Sequence, residues 1–195
     1  MMMRSNALDS SSVGDPEHFQ TLSDLERGIN DLHTPKDKGQ VALVVRKGED
    51  GVREAPVEVR LSPEAGIPGD AWDMGHKRDP EAQLTVMQVD IARLIANGQP
   101  LALFGDNLFL ELDLSTQNLP VGSRVRAGEA ILEVTSKPHN GCRKFLARFG
   151  QDALHFVSMP ELRHRNMRGI YMRVVESGNV RPGDPVEVIS RGEDH

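Results

Sequence analysis

Short apolar runs separated by turn residues make up most of this chain. Within each run, valine, isoleucine and leucine tend to alternate with polar residues, and Gly, Pro, Asn or Asp bounds the run. This pattern predicts β-strands over residues 40–48, 52–61, 83–88, 107–112, 123–127, 130–135, 170–175 and 185–189. The first two strands flank Glu49-Asp50-Gly51, which predicts a hairpin, and Pro56 predicts an edge or a bulge in its second strand.

Helical spacing of apolar residues is less frequent. Residues 21–35 place leucine and isoleucine on one helical face, and Ser23 with Glu26 predicts a capping box. Further helical patterns cover residues 89–97, 142–149 and, more weakly, 152–156. Many short strands with a few inserted helices favour a mostly β barrel or sandwich over a doubly wound parallel sheet.

The length and the local composition divide the chain into three parts. Its 195 residues suit one domain with a hydrophobic core of its own. Residues 1–20 are polar and serine-rich, and they predict a flexible tail. Residues 21–38 are expected to form the amphipathic helix and a linker, and residues 39–190 the folded domain.

Charge and composition exclude several classes of protein. The net charge is −6 and aromatic residues make up 4% of the chain, which argues against a nucleic-acid partner. The N-terminus lacks the apolar segment of a secretory signal, and no apolar run is long enough to cross a membrane. The single cysteine requires no oxidising compartment, so we expect a soluble, cytoplasmic protein with no membrane partner.

Cys142 occupies a position that suits a reactive thiol. It follows Gly141, begins a predicted helix and precedes Arg143 and Lys144. A helix N-terminus and neighbouring positive charge lower the pKa of a thiol, which would make Cys142 a nucleophile or a metal ligand. The alternative is an inert core cysteine. The polar loop around Asn140 and the two basic residues favour an exposed side chain.

Three other polar features are candidates for ligand binding. Gly69 and Asp70 form either a simple turn or a loop that presents a carboxylate, and Asn107 opens a strand. The basic segment 163–168 suits an anion such as phosphate, or else is a solvated turn. The sequence contains no zinc-type histidine spacing, no Walker loop and no dinucleotide fingerprint.

Two long runs, residues 104–150 and 167–189, resemble the MOSC domain, which is named after the C-terminal domain of molybdenum-cofactor sulfurase. The resemblance extends over residues 39–190. It is carried by the strand start at Gly105–Asn107, the run LPVGSRVRAGEAILEVT, the single-cysteine loop, Arg168–Tyr171, the closing VRPGDPV and the upstream GIPGDAW.

The resemblance implies a MOSC-type β-barrel with a few inserted and flanking helices. It also implies that Cys142 is the catalytic or metal-binding residue. Contacts with a molybdenum cofactor (molybdopterin) are then expected from Gly69, Asp70, Asn107, His139, Arg143, Lys144 and Arg168.

Three functions remain open at this stage. In the first, Cys142 carries sulfur as a persulfide, received from a cysteine desulfurase and passed to a metal–sulfur acceptor, as in sulfurases linked to pyridoxal phosphate. In the second, Cys142 ligates molybdenum, and the protein reduces small N-hydroxylated or N-oxygenated compounds with a redox partner protein. In the third, the chain is a non-catalytic barrel that binds a small ligand, and Cys142 is inert. The sequence leaves the oligomeric state open.

Overall fold

The computed structural model describes residues 13–48 and 51–193. Its strands are β1 (Lys38–Val44), β2 (Arg46–Lys47), β3 (Arg53–Glu54), β4 (Val59–Leu61), β5 (Leu84–Gln88), β6 (Leu108–Leu110), β7 (Arg124–Ala127), β8 (Ala130–Val134), β9 (Ile170–Glu176), β10 (Gly178–Val180) and β11 (Pro185–Ser190). Its α-helices are α1 (Leu22–Asn30), α2 (Ala71–Met74), α3 (Val89–Ala96) and α4 (Arg143–Ser158). Short 3-10 turns cover Pro16–His18, Pro80–Ala82, Leu101–Phe104 and Pro160–Arg165.

Seven of the strands in this part of the chain close into a barrel. Their order around the barrel is β1, β11, β7, β8, β9, β5 and β6, and β6 pairs again with β1. The pairs are antiparallel except for β5 and β6, where α3 and the turn at Leu101–Phe104 make the crossover that a parallel pair needs. Two small sheets, β2 with β3 and β4 with β10, lie outside the barrel order. The predicted β-barrel is confirmed, and a sandwich is excluded.

Strands β5 and β6 bury both of their faces. On β6, Leu108 and Leu110 belong to the cluster that fills the barrel, whereas Phe109 between them belongs to a second cluster under the helices. On β5, Val86 and Met87 divide in the same way. Because alternate side chains of a strand point to opposite faces, a strand with a core on each side reads as a continuous apolar run.

The helices form a layer over one part of the barrel wall. Leu25 of α1, Ile91 of α3 and Phe149 of α4 are almost completely buried in the second cluster. None of the helices in the described residues is both long enough and apolar enough to cross a membrane.

The N-cap of helix α1 lies two residues before the one that the predicted capping box would use. Thr21 is the N-cap, because its Oγ1 accepts a hydrogen bond of 3.2 Å from the backbone N of Asp24. The predicted capping box of Ser23 and Glu26 is therefore wrong.

Helix α4 joins two segments that the sequence predicted separately. Residues 143–149 and 151–158 meet at Gly150, whose φ of 88° and ψ of 173° turn the chain sharply. A Cβ at this position would lie 2.7 Å from the Phe19 ring, so glycine is required both for the turn and for the close approach. The second segment consequently folds back toward the loop that precedes Cys142, where a Cβ on Gly141 would meet Leu154.

Part of the predicted N-terminal tail is held against the domain. Residues 1–12 lie outside the described residues, as do Glu49 and Asp50 of the predicted hairpin turn. In the remaining part, the backbone N of Gly14 donates to Ala147 O at 3.1 Å. The backbone N of Asp15 donates to Gln99 Oε1 at 2.8 Å. These bonds fix the segment on α4 and on the turn after α3.

Candidate functional site

Cys142 is an exposed free thiol at the start of α4. It is the N-cap residue, with extended backbone angles, and its side chain makes no capping hydrogen bond. The helix that follows is anchored by Phe145 and Phe149, whose ring centroids lie 5.9 and 4.2 Å from that of Phe104. The sequence prediction of an exposed cysteine at a loop-to-helix junction is confirmed, and a cysteine packed in the core is excluded.

Three buried arginines lie near one another, and one of them, Arg148, interacts electrostatically with Cys142. Arg53, Arg148 and Arg168 are 4%, 5% and 8% exposed, a degree of burial that is uncommon for this residue type. Burial, followed by the proximity of Arg53, lowers the pKa of Arg148 to about 10, and the Cys142 thiol acts in the opposite direction. The arginines and the thiol therefore belong to one electrostatic cluster.

Gly105 leaves room for this arginine cluster. A Cβ on Gly105 would lie 3.2 Å from Arg53 Nε and 3.7 Å from Arg148 Nη1, and the φ of Gly105 is +76°. The turn before β6 thus has a packing role that the sequence pattern alone did not suggest, because a side chain on Gly105 would push the guanidinium groups apart.

Asp106 is the carboxylate that faces the cluster. It is 1% exposed, and its Oδ2 accepts a hydrogen bond of 2.6 Å from Arg168 Nη1. The Arg168 guanidinium also lies 5.3 Å from the centroid of the Phe145 ring, so the residue is held by both charge and aromatic packing. This ion pair fixes Arg168 at the base of the site.

His139 forms the wall of the site just before Cys142. Burial lowers the pKa of this imidazole to about 4, although Asp106 acts in the opposite direction. The ring therefore stays neutral near pH 7, and its centroid lies 4.7 Å from that of Tyr171. His139 Nδ1 is 3.7 Å from Asp106 Oδ1, which is too far for a hydrogen bond.

Several buried polar atoms of this site have no hydrogen-bond partner in the described residues. They are Asp106 Oδ1, His139 Nδ1 and Arg168 Nε. Buried polar atoms are nearly always paired in folded proteins, so such atoms in one place indicate that a ligand or water completes the site.

Asp70 and Asn107, two of the predicted cofactor contacts, bond to each other. Asn107 Nδ2 donates to Asp70 Oδ2 at 3.0 Å, and Asn107 Oδ1 accepts from the backbone N of Thr85 at 3.0 Å. Asp70 caps α2 through the backbone N of Trp72 and also accepts from the backbone N of Lys47. Neighbouring Gly69 has a φ of +74°. These bonds hold the loops together, and a contact of these residues with a cofactor stays a prediction.

The predicted basic residues divide among several places. Arg143 and Lys144 are exposed on the first turn of α4, next to Cys142. In the segment 163–168, Arg163 and Arg168 line a cavity of about 480 Å³ beside residues 138–141. His164 and Arg165 line a different cavity of about 430 Å³. The segment is therefore not a single anion site.

Sequence reasoning missed Arg53, Arg148 and Asp106 as members of the site. Arg148 carried a signal, because it lies three residues after Phe145 and one before Phe149, on the apolar face of the helix. A charged residue within an apolar stripe indicates a buried role. Arg53 and Asp106 carried no comparable signal, since both lie beside turns where charged residues are ordinary.

The site offers a metal few protein ligands. In residues 13–48 and 51–193, no group of three or more His, Cys, Asp or Glu side chains is placed to hold a metal ion. A metal at Cys142 would consequently have to bring most of its own ligands, as a metal bound in an organic cofactor does.

Comparisons with known proteins support the observed fold and identify the family of this chain. The MOSC domain family model matches residues 67–187. The uncharacterized protein YflK of Bacillus subtilis is 35% identical over 92 residues, which is 47% of this chain and 39% of YflK. This chain therefore aligns with only about two fifths of that relative.

Solved structures share the architecture at low sequence identity. YiiM from Escherichia coli has a TM-score of 0.53 and 24% identity, over 80% of this chain and 72% of YiiM. YuaD from Bacillus subtilis has a TM-score of 0.56 and 18% identity, over 80% of this chain and 97% of YuaD. At these identities the likeness concerns the fold alone. Since the family match covers more than half of the residues, the chain belongs to the MOSC domain family, whose members are associated with the molybdenum cofactor.

Proposed function

We propose that this chain binds the molybdenum cofactor and that Cys142 Sγ is the protein ligand to the metal. The observation that carries this proposal is the placement of an exposed thiol beside the buried cluster of Arg53, Arg148 and Arg168. Guanidinium groups placed near one another favour an anionic ligand, such as a phosphate, beside them. A persulfide on an exposed cysteine would not require such a cluster.

The residues present fit this cofactor. A thiolate is a soft ligand that suits a transition metal, and guanidinium groups pair well with the phosphate that the cofactor carries. Arg53 and Arg148 would supply positive charge to the phosphate, and Arg168 adds a buried Nε that has no partner among the described residues. When bound, the cofactor would relay two electrons from a redox partner to a substrate.

The remaining residues of the site have roles that follow from their chemistry. Asp106 holds Arg168 in place through the 2.6 Å hydrogen bond. Neutral His139 can donate or accept a hydrogen bond toward a ligand near Cys142 without adding charge. Gly105 keeps the space in which the guanidinium groups lie. The chain itself thus orients the ligand, and electrons would come from a redox partner protein.

We further propose that the substrate is a small N-hydroxylated or N-oxygenated compound. Reduction of a hydroxylamine to an amine takes two electrons and two protons and releases water. The electrons would come from the redox partner by way of the cofactor, and the protons from solvent that reaches the exposed thiol.

Metal analysis of the intact protein tests the first proposal. The full chain is expressed in cells that synthesise the cofactor, and molybdenum and released pterin are measured per chain. We expect stoichiometric molybdenum in the wild type, its loss in Cys142→Ser, and reduced pterin content in Arg148→Gln. Arg126→Gln is the control, because it removes an exposed cation on strand β7, which contributes no residue to this site. Equal metal content in wild type and Cys142→Ser would contradict the proposal.

A sulfur-carrier function is the second candidate, and the exposure of Cys142 favours it. In this reaction the outer sulfur of a desulfurase persulfide moves to the Cys142 thiolate and leaves the desulfurase thiolate behind. Incubation of metal-free protein with a cysteine desulfurase and cysteine should then add the mass of one sulfur atom to Cys142. A thiol reductant should remove it, and Cys142→Ser should prevent it. No mass gain would contradict this candidate.

A further inference from the structure

The cavity lined by residues 138–141 borders the loop that leads to Cys142. It has a volume of about 480 Å³ and is enclosed by residues 138–141, the end of α4 and residues 163–168. This volume is within the range of small-molecule binding sites. The lining does not include Cys142, Arg53 or Arg148, but it shares His139 and Arg168 with the site around Cys142.

The charged residues of this cavity are all basic. Arg163 and Arg168 line it together with neutral His139, and the lining contains no carboxylate. The charge of Arg168 is balanced by Asp106. Within residues 13–48 and 51–193, the Arg163 side chain forms no salt bridge. The backbone carbonyl of Arg163 accepts a hydrogen bond from the backbone N of Asn166. Arg163 is thus available to an anion in the cavity.

Unpaired polar atoms of the two residues that this cavity shares with the Cys142 site provide a further observation. Arg168 is 8% exposed and its Nε has no hydrogen-bond partner in the described residues, and the same is true of His139 Nδ1. Both residues line the cavity. Unpaired buried polar atoms are costly, and a ligand that accepts hydrogen bonds would satisfy them.

Apolar side chains form the opposite part of the lining. Val157, Met159 and Met167 come from the end of α4 and from the segment before β9. Methionine side chains adapt to the shape of an apolar ligand. The cavity therefore combines a cationic side with an apolar side, which is the arrangement that recognises a compact organic anion.

The geometry points to a binding site for a small organic carboxylate in this cavity, with the carboxylate on Arg163 and the apolar body against Met159 and Met167. The inference goes beyond the proposed cofactor chemistry and does not depend on it, because Arg163, Met159 and Met167 have no role in that proposal. Binding should therefore be the same in wild type and in Cys142→Ser.

Calorimetric titration of the full-length chain with benzoate and with benzamide tests this inference. The two probes have similar shapes, and only benzoate is charged near pH 7. We expect benzoate to bind at least about tenfold more tightly than benzamide. Arg163→Gln should weaken benzoate binding about fivefold and leave benzamide binding unchanged. Arg165→Gln is the matched control, because Arg165 lies on the same turn but lines the other cavity, and it should bind both probes like the wild type.

Several outcomes would overturn the inference. Equal affinity for benzoate and benzamide would show that the cavity does not select an anion. An equal loss in Arg163→Gln and Arg165→Gln would indicate only general surface charge. Inorganic phosphate that binds as tightly as benzoate would show that the apolar side contributes nothing, and a simple anion site would replace the organic carboxylate. Circular dichroism of each variant verifies that it is folded.

Discussion

Asp106 and Arg168 form a buried ion pair at the base of the site. Asp106 Oδ2 accepts a hydrogen bond of 2.6 Å from Arg168 Nη1, and the two residues are 1% and 8% exposed. The two residues come from distant parts of the chain, the turn before β6 and the turn before β9. The pair therefore joins two loops of the site as well as balancing one buried charge.

Asp106→Asn should destabilise the protein strongly. The substitution keeps the shape of the side chain but leaves the Arg168 charge without its counter-ion in a buried position. We expect the free energy of unfolding, measured by urea denaturation, to fall by about 3 kcal/mol.

The exposed pair between Glu58 and Arg181 supplies the control for that measurement. Because solvent screens this pair, Glu58→Gln should change the free energy of unfolding by less than about 1 kcal/mol. A similar loss in both variants would contradict a special role for the buried pair.

His139 should make the stability of the metal-free protein dependent on pH. Its pKa is lowered to about 4 in the folded chain, whereas an unfolded histidine titrates near its usual value of about 6.5. Between these values the unfolded chain binds a proton that the folded chain does not, so acid favours unfolding. The stability that buried, neutral His139 contributes is fully present above about pH 6.5, and it is lost as the pH falls to about 4.

The size of this effect follows from the shift. Relative to His139→Gln, the free energy of unfolding of the wild type should rise by up to about 3 kcal/mol from about pH 4 to about pH 6.5. Urea denaturation of both proteins across this range measures the difference, and carboxylates common to both cancel. Parallel pH profiles would show that His139 is not buried in its neutral form.

Gly169 should tolerate no side chain. Its φ is +89°, and a Cβ would lie 2.3 Å from the backbone oxygen of Val86 on the neighbouring strand β5. Gly183 is the matched control, because its φ is +92° and a Cβ there would meet no atom within 4 Å. Gly183→Ala should therefore lower the free energy of unfolding by about 1 kcal/mol, which is the cost of placing alanine in this backbone conformation without a clash.

Gly169→Ala adds a clash with backbone to that cost. We expect it to lower the free energy of unfolding by more than about 3 kcal/mol, as seen in the urea midpoint. If both alanine variants lose the same stability, the strand can move away and the close approach is not essential.

The barrel was largely predictable because its strands alternate along the sequence. The runs at 123–127 and 170–175 became β7 and β9 with small shifts at their ends. Strand β10 was not predicted, since three residues beginning with glycine carry no periodic signal and gain their conformation from pairing with β4. The choice of a barrel over a sandwich depended on long-range pairing, which local patterns do not encode.

The site was predictable only around its cysteine. The glycine before Cys142 and the basic residues after it indicated an exposed thiol at a helix start, and this is where it lies. Arg53 and Arg148 became neighbours through the fold, at the glycine before Asp106. Asp70 and Asn107 stood out in the sequence because polar residues at strand ends often bind ligands, yet their bonds in the structure are to each other and to backbone.

Cys142 should react faster in the folded protein than in the unfolded chain. Cys142 is exposed at the N-terminus of α4, and Arg148 is close enough for electrostatic interaction with it, so positive potential surrounds its Sγ. With verified metal-free protein near pH 7, we expect iodoacetamide to alkylate native Cys142 at least about threefold faster than in urea. Intact-mass measurement follows the rate.

A pair of arginine variants identifies the source of this reactivity. Arg148→Gln should slow the native reaction, while its rate in urea should equal that of the unfolded wild type, because the effect requires the folded arrangement. Arg143→Gln tests the exposed flanking charge in the same way, and we expect a smaller change since solvent screens it. Equal rates for the native and unfolded wild type would indicate an inert thiol, and would favour a ligand-binding barrel over both cysteine-based functions.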